Sequence, residues 1–376
     1  MSQASASVQA GPPEPARPRR TALFIVPVVV LLLLAIPGGA FAYAQNQLGE
    51  GQRLQSNGDF AGAINAYSTV DTVAGNPVSR LLMGEIADKA ITGAAETHQS
   101  WGTQLEKQGK FADAEAQFDA AVSSGIADWQ TRGNEALGGL YLAWGDSLIN
   151  QKKFDLAIEK YRGVAGFDTA GRLRQLTTAA LATAFAAYAN SYVADKDWPN
   201  AITWFKDLIK NYPDSPEAKL ATASQLPDAL YNGALAYIKG SRFQQARDAM
   251  TEITANYPHS PAAPIAAAAM AAAQPLTGVL ETPDHQGVPN RLLRISTKWR
   301  IVRPGIYADY GGAIYQTTTD RNGNFSLIVP PGQNYLVTWW DPARGTFVTT
   351  FVNDTVPVNQ ITISPLQPEH AIVTTA

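Results

Sequence analysis

Asp320, Asn322 and Asn324 place side-chain oxygens at alternate positions of a short polar stretch, much as the first ligands of a calcium loop are placed. No bidentate glutamate follows at the distance an EF-hand needs, and Asx turns explain the same residues. Glu115 and Asp119 stand four apart, so a helix brings their carboxylates to one face, as an acid–base couple requires. An ordinary solvated helix face looks the same. The four histidines, His98, His259, His285 and His370, are scattered, with none at a metal spacing such as His-Glu-x-x-His. There is no cysteine, which removes disulfides, thiolate zinc sites and a cysteine nucleophile together. No glycine-rich phosphate loop, Gly-x-Ser-x-Gly elbow or dinucleotide fingerprint is present. The expectation is a protein that is not an enzyme and that uses no metal or cofactor.

Binding residues are easier to nominate. Trp339 and Trp340 are adjacent, so on a strand they point to opposite faces. One belongs to a core, and the other is free to stack on a sugar ring or a partner. Trp299 lies in the same region. Gln104, Asn150, Asn190, Ser191 and Asn232 are polar residues on helical stretches that stand outside a repeated pattern. They are the candidates for protein binding, with a solvated surface as the plain alternative.

The pattern that must position them recurs five times. It reads Asn57-Gly58-Asp59-Phe60-x-x-Ala63-x-x-x-Tyr67, and its later aromatic anchors are Phe111, Phe154, Trp198 and Phe243. Alanine follows each anchor by three (Ala114, Ala157, Ala201, Ala246), and a large apolar residue follows four later (Phe118, Tyr161, Phe205, Met250). Steps of three and four lie on one helix face. Each polar turn, often with glycine, therefore joins two antiparallel helices. The anchor is expected to plug the gap within the pair, and the alanine to sit where the two backbones come closest. The upstream helices carry matching triplets: Trp101, Gly102, Leu105; Trp144, Gly145, Leu148; Tyr188, Ala189, Tyr192. Pro213 and Pro258 end the fourth and fifth copies. This outline resembles the tetratricopeptide repeat, over about residues 45–265. The Tyr-Pro-x-Ser-Pro endings at 212–216 and 257–261 resemble the BamD-like and CpoB-like groups of bacterial envelope assembly. The anchors at 60, 111, 154, 198 and 243 lie 43 to 51 residues apart, against about 34 in a plain repeat, so the helices or the loops must be longer. Such hairpins stack into a solenoid whose concave face binds protein segments. The first copy is atypical, since Glu50 stands where later copies have an aromatic.

The alanine-rich stretch Ala262 to Ala273 reads as a last capping helix. From Leu276 the pattern becomes short runs of Val, Ile, Thr, Tyr and Trp between turn residues, which predicts about seven antiparallel strands and a sandwich. Asn322-Gly323 marks a tight hairpin and Pro330-Pro331-Gly332 the next turn. With Gly278-Val279 and Gly287-Val288-Pro289, this resembles the carboxypeptidase regulatory-like domain, a prealbumin-like β-sandwich, over 276–365; the resemblance implies a non-catalytic module. Residues 298–311 fit it poorly, and 366–376 read as a tail.

Residues 1–20 are rich in Ser, Ala and Pro, cannot bury much apolar surface, and read as a disordered cytoplasmic tail. Ala22 to Ala44 carries no charged side chain and is long enough to span a bilayer. Arg17, Arg19 and Arg20 precede it, which keeps the N-terminus cytoplasmic and exports the remainder. The rival reading is a signal peptide, broken at Pro37-Gly38-Gly39 and cleaved after Ala44. Of 376 residues 45% are hydrophobic and 16% charged, with a net charge of −3, so nothing favours nucleic acid. The chain thus reads as a transmembrane helix or signal peptide over 21–44, tetratricopeptide-like helices over 45–273 and an all-β sandwich. The function expected is a membrane-anchored envelope scaffold that binds proteins, with a cell-wall or glycan binder as the alternative.

Overall fold

The computed structural model describes residues 22–75, 77–168 and 170–375. The chain divides into two compact units, one of residues up to 144 together with 163–174, the other of 145–162 with 175–376. The helices are α1 (Ala22–Ser56), α2 (Phe60–Ala74), α3 (Pro77–Lys107), α4 (Phe111–Val122), α5 (Ala127–Asn150), α6 (Phe154–Gly163), α7 (Arg174–Ala194) and α8 (Trp198–Asn211). A fifth first arm is made of α9 (Pro216–Leu220), a π turn (Ala221–Gln225) and α10 (Leu226–Lys239), followed by α11 (Phe243–Asn256) and α12 (Ala262–Ala271). The long period resides in the first arms: α3 has 31 residues, α5 24 and α7 21, while α4 has 12 and α6 10.

The five repeated turns are one structure. In the first, Gly58 adopts φ +80°, its N–H bonds the Gln55 carbonyl at 3.0 Å, and the Asp59 N–H bonds the Leu54 carbonyl at 3.0 Å. This is the Schellman closure, which satisfies the last carbonyls of the first helix. The same pair of bonds recurs at Gly109-Lys110, Lys152-Lys153, Lys196-Asp197 and Ser241-Arg242. The next residue then starts the second helix. Asp59 and Asp197 serve twice, ending one helix and capping the next by accepting from the Gly62 N–H at 3.0 Å and the Asn200 N–H at 3.4 Å. Only two of the five turns have the glycine that a positive φ favours; Lys152, Lys196 and Ser241 adopt φ of 59°, 58° and 57°.

Packing within the first three hairpins sets a ring on a glycine. The alanines Ala63, Ala114, Ala157, Ala201 and Ala246 are wholly buried, as are the side chains of Phe118, Phe205 and Met250. A Cβ placed on Gly51 would lie 2.6 Å from the Tyr67 ring, and one on Gly102 2.6 Å from the Phe118 ring. A Cβ on Gly145 would overlap the Tyr161 ring outright. The anchors at the helix starts behave differently from expectation. Phe60 stacks on Trp101 (centroids 6.3 Å), Phe111 on Trp144 (5.7 Å) and Phe154 on Tyr188 (5.1 Å), each a residue of the next hairpin. Standing at the turn end of its helix, the anchor lies beyond the paired faces and joins neighbouring hairpins instead of plugging its own. In the fourth hairpin the larger Trp198 meets Gly233, where a Cβ would sit 3.2 Å from the Trp198 Cβ.

The β region has two sheets with one core. One sheet orders β1 (Gln274–Glu281) between β12 (Glu369–Thr374) and β6 (Asn324–Val329). The other runs β11 (Gln360–Ile363), β7 (Gly332–Asp341), β2 (Leu292–Ser296), β5 (Ile314–Thr318), with β8 (Thr346–Val348) also on β7. Leu276, Leu280, Phe325 and Val373 of the first sheet share a cluster with Leu293, Val337, Trp339 and Ile363 of the second, which makes the region sandwich-like. Two features depart from the expectation. The stretch 366–376 is not a loose tail, because β12 pairs in parallel with β1 and buries Ala371 and Val373. Residues 298–311, which fitted poorly, form a hairpin of β3 (Trp299–Arg303) and β4 (Ile306–Asp309). Short β9 (Phe351–Val352) and β10 (Val356–Pro357) complete the strands.

At the other end, α1 continues through Pro37-Gly38-Gly39, where the cleaved-signal reading expects a break. A proline inside a helix frees one carbonyl without necessarily ending the helix. Among the described residues no helix is long and apolar enough to cross a membrane. The expected tail 1–20 lies outside the described residues, as do the side chains of 22–37, which carry most of the expected span.

The turns give a direct test. A side chain in the left-handed region costs about 1 kcal/mol, so Lys152→Gly, Lys196→Gly and Ser241→Gly should each stabilise by about 0.5–1 kcal/mol in urea melts, while Gly109→Ala should destabilise by about 1 kcal/mol. For the ring-on-glycine contact, Gly145→Ala should cost about 1–3 kcal/mol by overpacking, and adding Tyr161→Leu should recover part of that loss in a double-mutant cycle.

Candidate protein-binding surface

The polar candidates lie on first-arm helices, and the structure treats them unequally. Gln104 and Asn150 are exposed on the last turns of α3 and α5. Ser191 is half-buried, its hydroxyl donating to the Tyr188 carbonyl of its own helix at 2.7 Å. Asn232 is exposed, with its amide donating to the Asp228 carbonyl of its own helix at 2.8 Å. Asn190 is exposed and accepts from the Gln225 side-chain amide at 3.3 Å. A second bond between the same two arms runs from the Thr183 hydroxyl to Glu217 at 2.9 Å. So α7 and the α9–α10 arm lie side by side, joined by polar side chains at their surface, and Asn190 belongs to that seam.

Gln225 was not among the sequence candidates. It stands in the π turn, where the Leu226 N–H reaches back five residues to the Ala221 carbonyl. Pro227 follows at once; lacking an N–H, it cannot complete an α ladder there, and the wider turn accommodates this. The Gln225 Oε1 is buried with no hydrogen-bond partner. The sequence signal was Pro227 inside an otherwise helical run. Tyr188 and Tyr192 were read only as packing residues. They form a chain in which the Tyr192 hydroxyl donates to the Tyr188 hydroxyl at 3.0 Å, and Tyr188 donates to Asp155 at 2.9 Å. That bond to Tyr192, together with partial burial and Asp155, holds the Tyr188 phenol protonated well above its usual range. Trp204 packs on the same ring at 4.5 Å. The cluster offers half-exposed aromatic surface whose hydroxyls are tied to one another and to Asp155.

Most of the residues weighed for chemistry have hydrogen-bond partners in the fold. Glu115 accepts a hydrogen bond from the Tyr141 hydroxyl. Asp119 has its carboxyl pushed up by partial burial and then by the charge of Glu115. His98 bonds Gln117 at 2.8 Å, His285 bonds Glu281 at 2.7 Å, His370 bonds Thr277 at 3.2 Å, and His259 is exposed. Among the described residues no three His, Cys, Asp or Glu side chains gather as metal ligands would. The Asp320 carboxylate accepts from the Asn322 N–H (2.7 Å), the Asn324 N–H (2.8 Å) and the Asn324 amide (3.1 Å), which is the Asx geometry. Those bonds hold its carboxyl below the ordinary aspartate range.

In the sandwich Trp339 is core, only 7% exposed. Trp340 points the other way, 37% exposed, with Phe347 edge-on at 5.3 Å and the Asp341–Arg344 ion pair (3.5 Å) beside it in sequence. Trp299 donates its indole N–H to the Asn334 carbonyl at 2.5 Å.

A lowered folded pKa means that Asp320 contributes stability above its unfolded value, near 4, and loses that contribution as pH falls through the lower folded value. Asp320→Ala should therefore melt below the parent at pH 7, and the gap should close as the pH is taken below about 4, read by thermal unfolding of the full chain.

The tetratricopeptide repeat model matches residues 185–215 and 228–260, which are the cores of the α7–α8 and α10–α11 hairpins. No curated protein matches the chain. Similar solved structures include YrrB, a TPR protein with an unusual peptide-binding site, at 14% identity over 59% of this chain and 90% of that one, TM-score 0.18. PilW, a type IV pilus biogenesis factor, is similar at 17% identity over 59% and 97%, TM-score 0.18. The TPR2AB domain of yeast Sti1 in its pHSP90 complex is similar at 17% identity over 60% and 82%, TM-score 0.21. The fourth and fifth hairpins of this chain match the tetratricopeptide repeat model, and a β-rich region follows them.

Proposed function

We propose that this protein is a membrane-anchored extracytoplasmic scaffold that binds other envelope proteins through its tetratricopeptide hairpins, in the manner of the BamD-like and CpoB-like groups. The observation that carries the reading is the pair of matched repeats, whose first-arm helices leave Asn190 and Asn232 exposed while the alanines and most of the apolar side chains are used in packing. A surface that packing does not need is free for a partner. The N-terminal arginines and the charge-free run after them support a cytoplasmic N-terminus and an exported remainder. The sandwich serves as a carboxypeptidase regulatory-like module that docks a partner or spaces the helices from the membrane. The protein is not an enzyme and takes no cofactor.

Photo-crosslinking in native membranes tests this. Benzoylphenylalanine at Asn190 or Asn232 should capture one discrete polypeptide, and the second-arm positions Lys210 and Gln245 should not. Equal capture from both sets, or capture from the second arms alone, would remove the first-arm surface from the proposal.

A second reading, a cell-wall or glycan binder, has one observation in its favour: the partly exposed Trp340 next to charged side chains. It requires Trp340→Ala to release the protein from sedimented wall fragments.

A further inference from the structure

The exposed large apolar side chains of the first unit include two on α1 and two on the first turns of α3, which follows the first hairpin. Phe41 and Tyr43 are 44% and 49% exposed on α1, and Leu81 and Leu82 are 87% and 61% exposed near the start of α3. Their level along the bundle is fixed by the core. Ala40 and Ala44 of α1 pack in one cluster with Val73 and Ala74 at the end of α2 and with Met83 of α3. The α2–α3 turn and the first turns of α3 therefore lie beside residues 40–44 of α1. The chain runs up α1, down α2 and up again along α3, so Lys107 lies at the far end of α3.

A bilayer's hydrocarbon takes about 20 helical residues. Counted from Arg20, the last charge before the apolar run, that length ends near Ala40. The next residues on α1, 41–43, are exposed and include Phe41 and Tyr43, and aromatic side chains are favoured at the headgroup level. Leu81 and Leu82 stand on the first turns of α3, about one helical turn beyond the α2–α3 turn that packs at this end of α1, which keeps them within the breadth of the headgroup layer. Two adjacent leucines this exposed cost free energy in water and gain it against lipid.

We propose that the α2–α3 end of the first hairpin rests on the lipid surface, with Leu81 and Leu82 inserted at the headgroup boundary beside Phe41 and Tyr43. This rests on the anchor reading above and adds to it: the first hairpin is a membrane-contacting element and not merely the first repeat beyond a tether. A helix leaving the bilayer alone can tilt and rotate freely. One that leaves together with a leucine-tipped neighbour is held at a second point, so the first hairpin keeps a fixed face toward the membrane.

The test uses the full chain in vesicles of three parts phosphatidylethanolamine to one part phosphatidylglycerol. Because the sequence has no cysteine, Tyr43→Cys, Leu82→Cys and Lys107→Cys each carry a single bimane label. All three sites are exposed, so labelling leaves the core intact. Quenching by lipids spin-labelled near the headgroup should be comparable at 43 and 82, and at both about threefold stronger than at 107. Quenching at 43 but not at 82 would overturn the proposal and leave the anchor standing. Absence of quenching at both, with protein washed from the vesicles by carbonate, would overturn the anchor reading and this inference with it.

Discussion

Close approach of two helices is the constraint on which the repeats depend. Backbones can come near each other only where one side chain is missing, and the space is then filled by a flat ring from the partner. Gly51 faces Tyr67, Gly102 faces Phe118 and Gly145 faces Tyr161, each closer than a Cβ would allow. Glycine in a helix interior costs about 1 kcal/mol relative to alanine, and the buried ring that takes its place returns more than that. The fourth hairpin has Ala189 and Phe205 at the equivalent positions, both fully buried.

Hairpin geometry then follows from the turn. Once the C-terminal carbonyls are closed by the Schellman bonds, the direction of the second helix is set within one residue. That is why a turn of varied sequence, Asn-Gly-Asp in one copy and Gly-Ser-Arg in another, gives one structure. Lysine and serine in the left-handed region show that the pairing of the helices dominates over the local preference of the turn residue.

These two devices were legible because they depend on residue type at short spacing. The anchor stacking was not. Phe60 reaches Trp101 across 41 positions, and nothing in the phrase itself tells which helix an end-on ring will meet. The same limit applies to Asn190: its exposure was readable, but its bond to Gln225 depends on a π turn whose only sequence trace is Pro227. In the sandwich, alternation showed strands with one wet face. The strand β12 escaped because Glu369-His-Ala-Ile-Val-Thr is short, follows two prolines, and pairs in parallel with a strand 93 residues upstream, as Thr277 does with His370. A parallel edge pairing leaves no local turn signal.

That last strand also decides how the sandwich is attached. β1 begins at Gln274, three residues after α12 ends at Ala271, so the entry to the sandwich has little slack. The exit is fastened as well: Arg247 of α11 donates to the Pro365 carbonyl and to the Gln367 side chain, both at 3.2 Å, immediately before β12. Since β12 runs parallel beside β1, the two attachments converge on the same end of the sheet. A domain joined by one short linker pivots more freely than one joined at two points. The fifth hairpin and the sandwich are therefore fastened to each other at two places, by the short α12–β1 link and by Arg247.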